Sequence, residues 1–354
     1  MRVLLSEVTT LRLGGPCQDV VAAGTEAELI SAVAQADADG VPTLLLSGGS
    51  NVVIADAGWP GRVVLVRTRG AQVDAAPDTA GVVVTAAAGE TWDGFARSMV
   101  AEGFGGVEAL VGIPGAVGST PIQNVGAYGQ EVADTVVSVR VWDRRQRAVR
   151  TLAAADCDFA YRDSRFKREP GRFVVLAVTF ALTATGESAP VRYAELARRL
   201  DVVAGQRAPV GDVATSVLGL RAGKGMVLDP SDHDTWSAGS FFTNPILTAA
   251  EAVGLPESAP RFPVSTLAAG AGGDAHQIKT SAAWLIEHAG FNKGFRVRPD
   301  APVALSSKHT LALTNRGGAT TADLLELARA VRDGVRERFG ITLVPEPVLV
   351  DCAL

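Results

Sequence analysis

The chain has 354 residues, 47% of them hydrophobic and 20% charged, which is more than one compact core holds; domain sizes of about 100–200 residues predict two or three units. A formal net charge of −5 with no basic face excludes a nucleic-acid partner, and no apolar run reaches the roughly 20 residues of a membrane span. Cys17, Cys157 and Cys352 lack C-x-x-C spacing and the four histidines lack ligand spacing, so neither a disulfide framework nor a metal site is expected, and the chain reads as cytoplasmic with reduced thiols.

In chain order, Val20 and Val21 begin a short strand, and Thr25 with Glu28 forms a T-x-x-E box that opens a helix. Leu29, Ile30 and Val33 supply its apolar face, and Gly40 ends it. A buried strand over 43–46 runs straight into Ser47-Gly48-Gly49-Ser50-Asn51. Small residues after a strand present amides and hydroxyls suited to a pyrophosphate, and the same residues also make an ordinary turn. Short strands follow over 52–69 and 82–87, and Thr91 caps a helix through Phe95 and Met99 to Gly103.

Residues 107–132 form the densest signal. The stretch contains Gly112, Gly115, Gly118, Gly126 and Gly129, two prolines, and only two charges, Glu108 and Glu131. Composition permits either a buried loop packed through its glycines or a concave run of amides that receives a phosphate or the polar edge of a planar cofactor. Beyond it, 136–142 alternates as a half-buried strand, 143–146 turns, and 173–180 is a further strand. The element order is α+β, not a regular Rossmann alternation.

From Pro190 the pattern changes. A short amphipathic helix starts at Arg192-Tyr193, a second lies near 213–220, and a domain boundary is expected close to Thr215. Then come GSFFTNP at 239–245, a helix over 280–288, a strand over 303–305, and a long helix over 321–339 whose stripe of Leu324, Leu327, Val331 and Val335 is core. Gly340 terminates it, and the tail returns as strand. Gly270, Gly272 and Ala275 spell G-x-G-x-x-A, but Pro263 interrupts the segment before them and no acidic residue follows at the spacing a dinucleotide site needs, so they read as a loop. Of the five lysines, Lys224, Lys279, Lys293 and Lys308 lie in the last two fifths, as a pocket for an anion requires or as solvated faces produce.

Taken singly, three polar residues have ordinary explanations. Arg162 can pair with Asp163, Ser240 can cap a turn, and Glu346 can be a surface carboxylate whose backbone Pro347 holds extended. Their local wording adds more. GIPGAVGSTPIQNVGAYG resembles the flavin-contacting segment of the UDP-N-acetylenolpyruvoylglucosamine reductase family, SGGSNVVIAD resembles that family's pyrophosphate loop, and AYRDS, GSFFTNP and L-x-PE resemble its remaining motifs. The resemblance runs from TTLRLGG to the PEP tail and matches the loop-bearing type I subgroup.

This resemblance implies an FAD-binding region of two parts with the PCMH/VAO-type fold (1–69 with the tail 347–354, and 70–214) and an α+β substrate domain (215–346). It implies non-covalently bound FAD held by Ser47, Gly48, Gly49, Ser50, Asn51, Gly115, Ser119, Gly126, Ala127 and Tyr128. NADPH is the implied reductant, and a UDP-sugar enolpyruvyl ether is the substrate, contacted by Tyr128, Tyr193, Lys224 and Asn244. Arg162 and Glu346 are implied to stabilise the charge that a hydride leaves on the substrate, and Ser240 to donate the completing proton. The protein is expected to be a monomer of peptidoglycan synthesis. Thr243 stands where many members have lysine, so the charge contact to NADPH or to the substrate phosphate is either missing or supplied by Lys224, which leaves the reductant preference open. The rival readings are a related FAD oxidase or dehydrogenase of a hydroxy acid, and a catalytically silent flavin- or nucleotide-binding protein. The absence of a histidine attachment motif and the presence of GSFFTNP oppose the first, and the three polar candidates oppose the second.

Overall fold

The computed structural model describes residues 3–75, 81–263 and 277–354. The chain divides into two compact units: unit 1 comprises Met1–Asp19, Gly49–Pro60 and Gly223–Leu354, and unit 2 comprises Val20–Gly48 and Gly61–Ala222.

Unit 2 is built on a five-stranded antiparallel sheet in the order Ala148–Ala153, Val136–Asp143, Phe173–Thr183, Gly81–Ala87, Ala71–Ala75. The expected alternation in Val136–Asp143 is present: Val136, Val139 and Val141 are buried and Val137 and Arg140 face out. Register shifts after Val136 and Arg140 break its strict period of two, as β-bulges do. The helix Trp92–Ala101 sets Trp92, Phe95, Ala96 and Met99 into the core, where Trp92 and Phe95 meet Phe180 with ring centroids 6.0 and 5.2 Å away. The Trp92 indole also donates to the Leu110 carbonyl (2.9 Å), fixing the start of the glycine-rich stretch. Thr91 sits at the N-cap of that helix, but its hydroxyl makes no capping bond. Thr25 does cap Glu26–Ala38, and the reciprocal bond from Glu28 completes the box.

The strand Thr43–Leu46 lies parallel to the next one, Thr43 opposite Arg62 and Leu46 opposite Leu65. Only Leu46 is fully buried, because the strand is an edge with a single neighbour; the expectation of complete burial is corrected. The helix Val210–Gly223 is longer than its pattern suggested and runs through Thr215, and the change of unit falls at its end, between Ala222 and Gly223.

In unit 1 the long helix Thr321–Phe339 has the predicted bounds and buries Leu324, Leu327, Val331 and Val335 completely. Thr320 and Asp323 form its capping box, and Gly340 at φ 71° closes it in the left-handed conformation that glycine tolerates. Asp56 accepts from the Thr321 and Ala322 N–H groups (2.7 and 3.0 Å), adding an anion at the helix N-terminus. The helix Ala282–His288 starts two residues later than expected because Ser281 is its cap, its hydroxyl accepting from the Trp284 N–H. Its buried Leu285 and Ile286 share the core with the antiparallel pair Val303–Leu305 and Leu313–Asn315. The tail strand Val348–Val350 pairs in parallel with Val52–Ile54. The G-x-G-x-x-A loop at Gly270, Gly272 and Ala275 lies outside the described residues.

Candidate active site

In unit 2 the start of the small-residue turn, Ser47 and Gly48, meets the glycine-rich stretch. A Cβ on Gly48 would stand 2.5 Å from Cα of Gly115, so both loops must be bare backbone there, and Gly115 has a φ of 126° that side chains avoid. Gly49, at φ 62°, is packed as closely within unit 1, its Cβ position 1.7 Å from the Val8 carbonyl oxygen. Among the described residues nothing accepts a hydrogen bond from the N–H of Gly48, Gly49 or Gly115. Amides left without protein acceptors in a small-residue turn fit the pyrophosphate of a dinucleotide such as FAD. The Arg67 guanidinium donates to the Ser47 carbonyl (2.7 Å) and places a cation beside the turn, its pKa held down by burial and by Arg69.

Other members of the predicted set have structural duties. The Ser119 hydroxyl folds back on the Ala116 carbonyl (2.7 Å). Asn51, at φ 56°, accepts from the Val348 N–H and donates to the Glu346 carbonyl (3.4 Å), so it orders the tail of unit 1. Gly126 and Ala127 pair with Glu131 and Gln130 in a hairpin whose turn is Tyr128-Gly129.

Arg162 is anchored on that hairpin: Nη2 donates to the Gly126 carbonyl (2.6 Å) and Nη1 to the Asn124 carbonyl (3.3 Å). Asp163, its ordinary partner on sequence grounds, is engaged by Arg168 instead. Three neighbouring non-glycine residues, Asn124, Tyr128 and Arg162, hold φ values of 47°, 52° and 53°. Left-handed backbone at non-glycine positions stores strain that the surroundings must enforce, and it gathers at functional sites. The enforcing residue is Asn124, 1% exposed, whose amide donates to Glu131 (2.8 Å) and the Ala160 carbonyl (3.1 Å) and accepts from the Ala133 N–H (3.1 Å). Tyr128 meets Tyr193 edge-on, with centroids 5.4 Å apart.

In unit 1 two distant segments pair. The Glu346 N–H donates to the Phe241 carbonyl (2.9 Å), Thr243 N–H to the Val344 carbonyl (3.1 Å), and Phe242 bridges Pro345. Ser240 and Glu346 are thereby carried on adjacent segments joined by an isolated β-bridge. Phe241 and Phe242, both 1% exposed, lock the Ser240 side of the bridge into the core. The turn before it is capped by Ser237, whose hydroxyl accepts from the Gly239 N–H (3.2 Å); the Ser240 hydroxyl makes no hydrogen bond among the described residues. Asn244 uses its amide oxygen on the Ala282 N–H (3.0 Å) and so orients the next helix. Thr243 donates weakly to the Val344 carbonyl (3.4 Å). Lys308 is committed to Asp232 (2.6 Å), whereas Lys224 and Lys293 lie close enough to His309 to reinforce the effect of its burial, which together push it down to about 4.

Sequence reading missed Arg67, Asn124 and Arg221. The last donates to the Gly112 carbonyl (3.2 Å), and burial pushes it down to about 10 against the opposing pull of Tyr128 and Asp93, which leaves it a cation at neutral pH. Asn124 was within reach, since asparagine is one of the few non-glycine residues that readily adopt left-handed backbone. Nothing local distinguishes either arginine.

The family model for an FAD binding domain matches residues 17–151, and that for the UDP-N-acetylenolpyruvoylglucosamine reductase C-terminal domain matches 229–350. Proteins named UDP-N-acetylenolpyruvoylglucosamine reductase from Cutibacterium acnes and Streptomyces coelicolor are 53% and 54% identical over 352 and 361 residues, covering 99% of this chain and 90% of each relative. The crystal structure of the reductase of that name from Thermus caldophilus, 24% identical, superposes with a TM-score of 0.64 over 99% of this chain and 98% of the other, a likeness of fold.

Proposed function

The chain belongs to the UDP-N-acetylenolpyruvoylglucosamine reductase family, and from that premise we propose how its residues divide the reaction. It is an FAD-dependent oxidoreductase, a UDP-N-acetylmuramate dehydrogenase that reduces UDP-N-acetylglucosamine enolpyruvate in peptidoglycan synthesis.

FAD, when bound and reduced by NADPH, supplies a hydride from N5 to the terminal vinyl carbon of the enolpyruvyl ether. The backbone of Ser47, Gly48, Gly49, Ser50 and Gly115 receives the pyrophosphate, with Asn51, Ser119, Gly126, Ala127 and Tyr128 completing the cofactor's surroundings. Hydride addition leaves negative charge on the neighbouring carbon and its carboxylate. Arg162, a permanent cation that the Gly126 and Asn124 carbonyls hold in one orientation, stabilises that charge as it forms. Glu346 shares a proton or hydrogen bond with the enolate. Ser240 then donates the proton that completes the C–H bond, a role open to a weak acid only against so basic a carbon. Tyr128, Tyr193, Lys224 and Asn244 contact the substrate, Lys224 supplying the charge that Thr243 does not. The three-part division 1–69 with 347–354, 70–214 and 215–346 belongs to the same reading, as do a monomeric state and a cytoplasmic location; among the described residues no helix is long and apolar enough to cross a membrane.

The observation that carries the assignment is the bridge in unit 1 that sets the Ser240 and Glu346 segments side by side while the serine hydroxyl stays unengaged. Ser240→Ala is expected to leave flavin reduction by NADPH intact and to slow reoxidation by the enolpyruvyl sugar nucleotide about 10²–10⁴-fold, followed by flavin absorbance in anaerobic stopped flow. Normal reoxidation in that variant removes Ser240 as the proton donor. Reoxidation of the unsubstituted protein by hydroxy acids instead of the sugar nucleotide removes the substrate assignment.

A further inference from the structure

The segment leading to Tyr193 is tied down by a carboxylate that the reaction does not use. Glu108 is 1% exposed, and no lysine or arginine pairs with it among the described residues. Three N–H donors converge on it instead: Gly106 N–H on Oε2 (2.5 Å), and Ala189 N–H (2.7 Å) and Gln130 Nε2 (3.3 Å) on Oε1. Gln130, itself buried, returns its own oxygen to the Ala109 N–H (2.9 Å). One buried charge therefore joins the start of the glycine-rich stretch, the Tyr128 hairpin, and the segment just before Tyr193. Hydrogen bonds to a carboxylate are stronger than those to a neutral acceptor, and a buried polar group needs such partners in place of water.

The hairpin turn also packs closely against that segment. A Cβ on Gly129, at φ 83°, would lie 3.2 Å from Cβ of Arg192, and Tyr193 touches Tyr128 by an edge. A cavity of about 220 Å³, lined among others by Glu108, Tyr128, Gln130, Arg192 and Leu196, lies beside that contact. The polar tie links hairpin and segment beside this cavity, and backbone bonds from Val191 to Gln206 and from Gly205 to Val191 hold the segment's other side.

We propose that Glu108 is a positioning residue: its carboxylate, with Gln130, fixes Tyr193 against Tyr128 and thereby sets the affinity for the nucleotide end of the substrate. The inference rests on the reading of Tyr193 as a substrate contact. An amide cannot take over the task. In Glu108→Gln the side-chain NH2 meets either the Gly106 N–H or the pair Ala189 N–H and Gln130 Nε2, so a buried donor is left unmatched and the tie, which then rests on a neutral acceptor, weakens.

The test uses the flavin-loaded enzyme and separates the two half-reactions. For Glu108→Gln the KM for UDP-N-acetylglucosamine enolpyruvate is expected to rise about tenfold with kcat within about threefold, while the rate of flavin reduction by NADPH stays within about twofold. Hydrogen exchange over 189–193 should quicken, and over 112–122 it should not. An unchanged KM, or equal losses in both half-reactions, overturns the proposal. Should Glu108→Gln be recovered without flavin, Gln130→Ala, which removes one donor to Glu108 and the acceptor of the Ala109 N–H but spares both backbone bonds to the carboxylate, carries the test; the same pattern at about threefold supports the proposal, and a uniform loss refutes it. Failure of the unsubstituted enzyme to turn over the sugar nucleotide at all would count against the functional reading above and not against the tie.

Discussion

In unit 2 the candidate residues are fixed by side-chain bonds to a backbone bent into left-handed conformations at Asn124, Tyr128 and Arg162. In unit 1 the work is done by backbone pairing: the bridge from Phe242 to Pro345 carries Ser240 and Glu346 on ordinary extended chain, locked by two buried phenylalanines. A strained, polar-bonded site depends on every member of its network, because each bond lost exposes a buried partner and relaxes a backbone that prefers another conformation. A site carried by strand pairing tolerates a changed side chain, since main-chain bonds do not depend on it. Chemistry and stability should therefore separate cleanly in unit 1 and poorly in unit 2.

Three outcomes sharpen or break that contrast. Arg162→Ala is expected to slow reoxidation by the sugar nucleotide about 10²–10³-fold and also to lower the melting temperature, since the carbonyls of Asn124 and Gly126 lose their donor. An unaltered melting temperature would place Arg162 in the same class as Ser240 and dissolve the distinction. Asn124→Ala should cost about 2–4 kcal/mol in denaturant unfolding, as it strips three side-chain bonds from a buried left-handed residue, whereas Asn244→Ala in unit 1 loses one bond and should cost about 1 kcal/mol. Equal costs would argue against the hub.

The smallest effect concerns pH. Burial first, then Lys224 and Lys293, hold His309 at about 4 in the folded protein, below its ordinary 6.5. The unfolded chain then binds a proton between those values that the folded chain refuses, so the stabilising contribution is complete above pH 6.5 and is lost as pH falls toward 4. His309→Gln should flatten the pH dependence of stability between pH 7 and 5 by about 1–2 kcal/mol. A profile identical to that of the unsubstituted protein would remove the histidine from the account.

Much of the architecture was legible in the order of residues because it rests on local rules. The heptad-like stripe of Thr321–Phe339 and its Gly340 stop, the Thr25/Glu28 box, and the alternation in Val136–Asp143 are set by side-chain period and by caps within a few residues. Where neighbours across the sheet decide, reading failed: the edge position that leaves Thr43–Leu46 half-covered, the silent hydroxyl of Thr91, and the run of Val210–Gly223 through Thr215.

The candidate residues divide in the same way. The motifs around Arg162, Ser240 and Glu346 are contiguous words, and by themselves they determined the family, the cofactor and the chemical types available. Which partners those side chains take was decided only by tertiary structure. Arg67 standing at Ser47 and Glu108 receiving Ala189 are contacts between segments, and even the local choices, Asp163 going to Arg168 and Ser237 rather than Ser240 capping the turn, depend on how the folded chain lies. A hydrogen bond depends on distance and angle after the chain has folded, and neither is encoded in the few residues on each side.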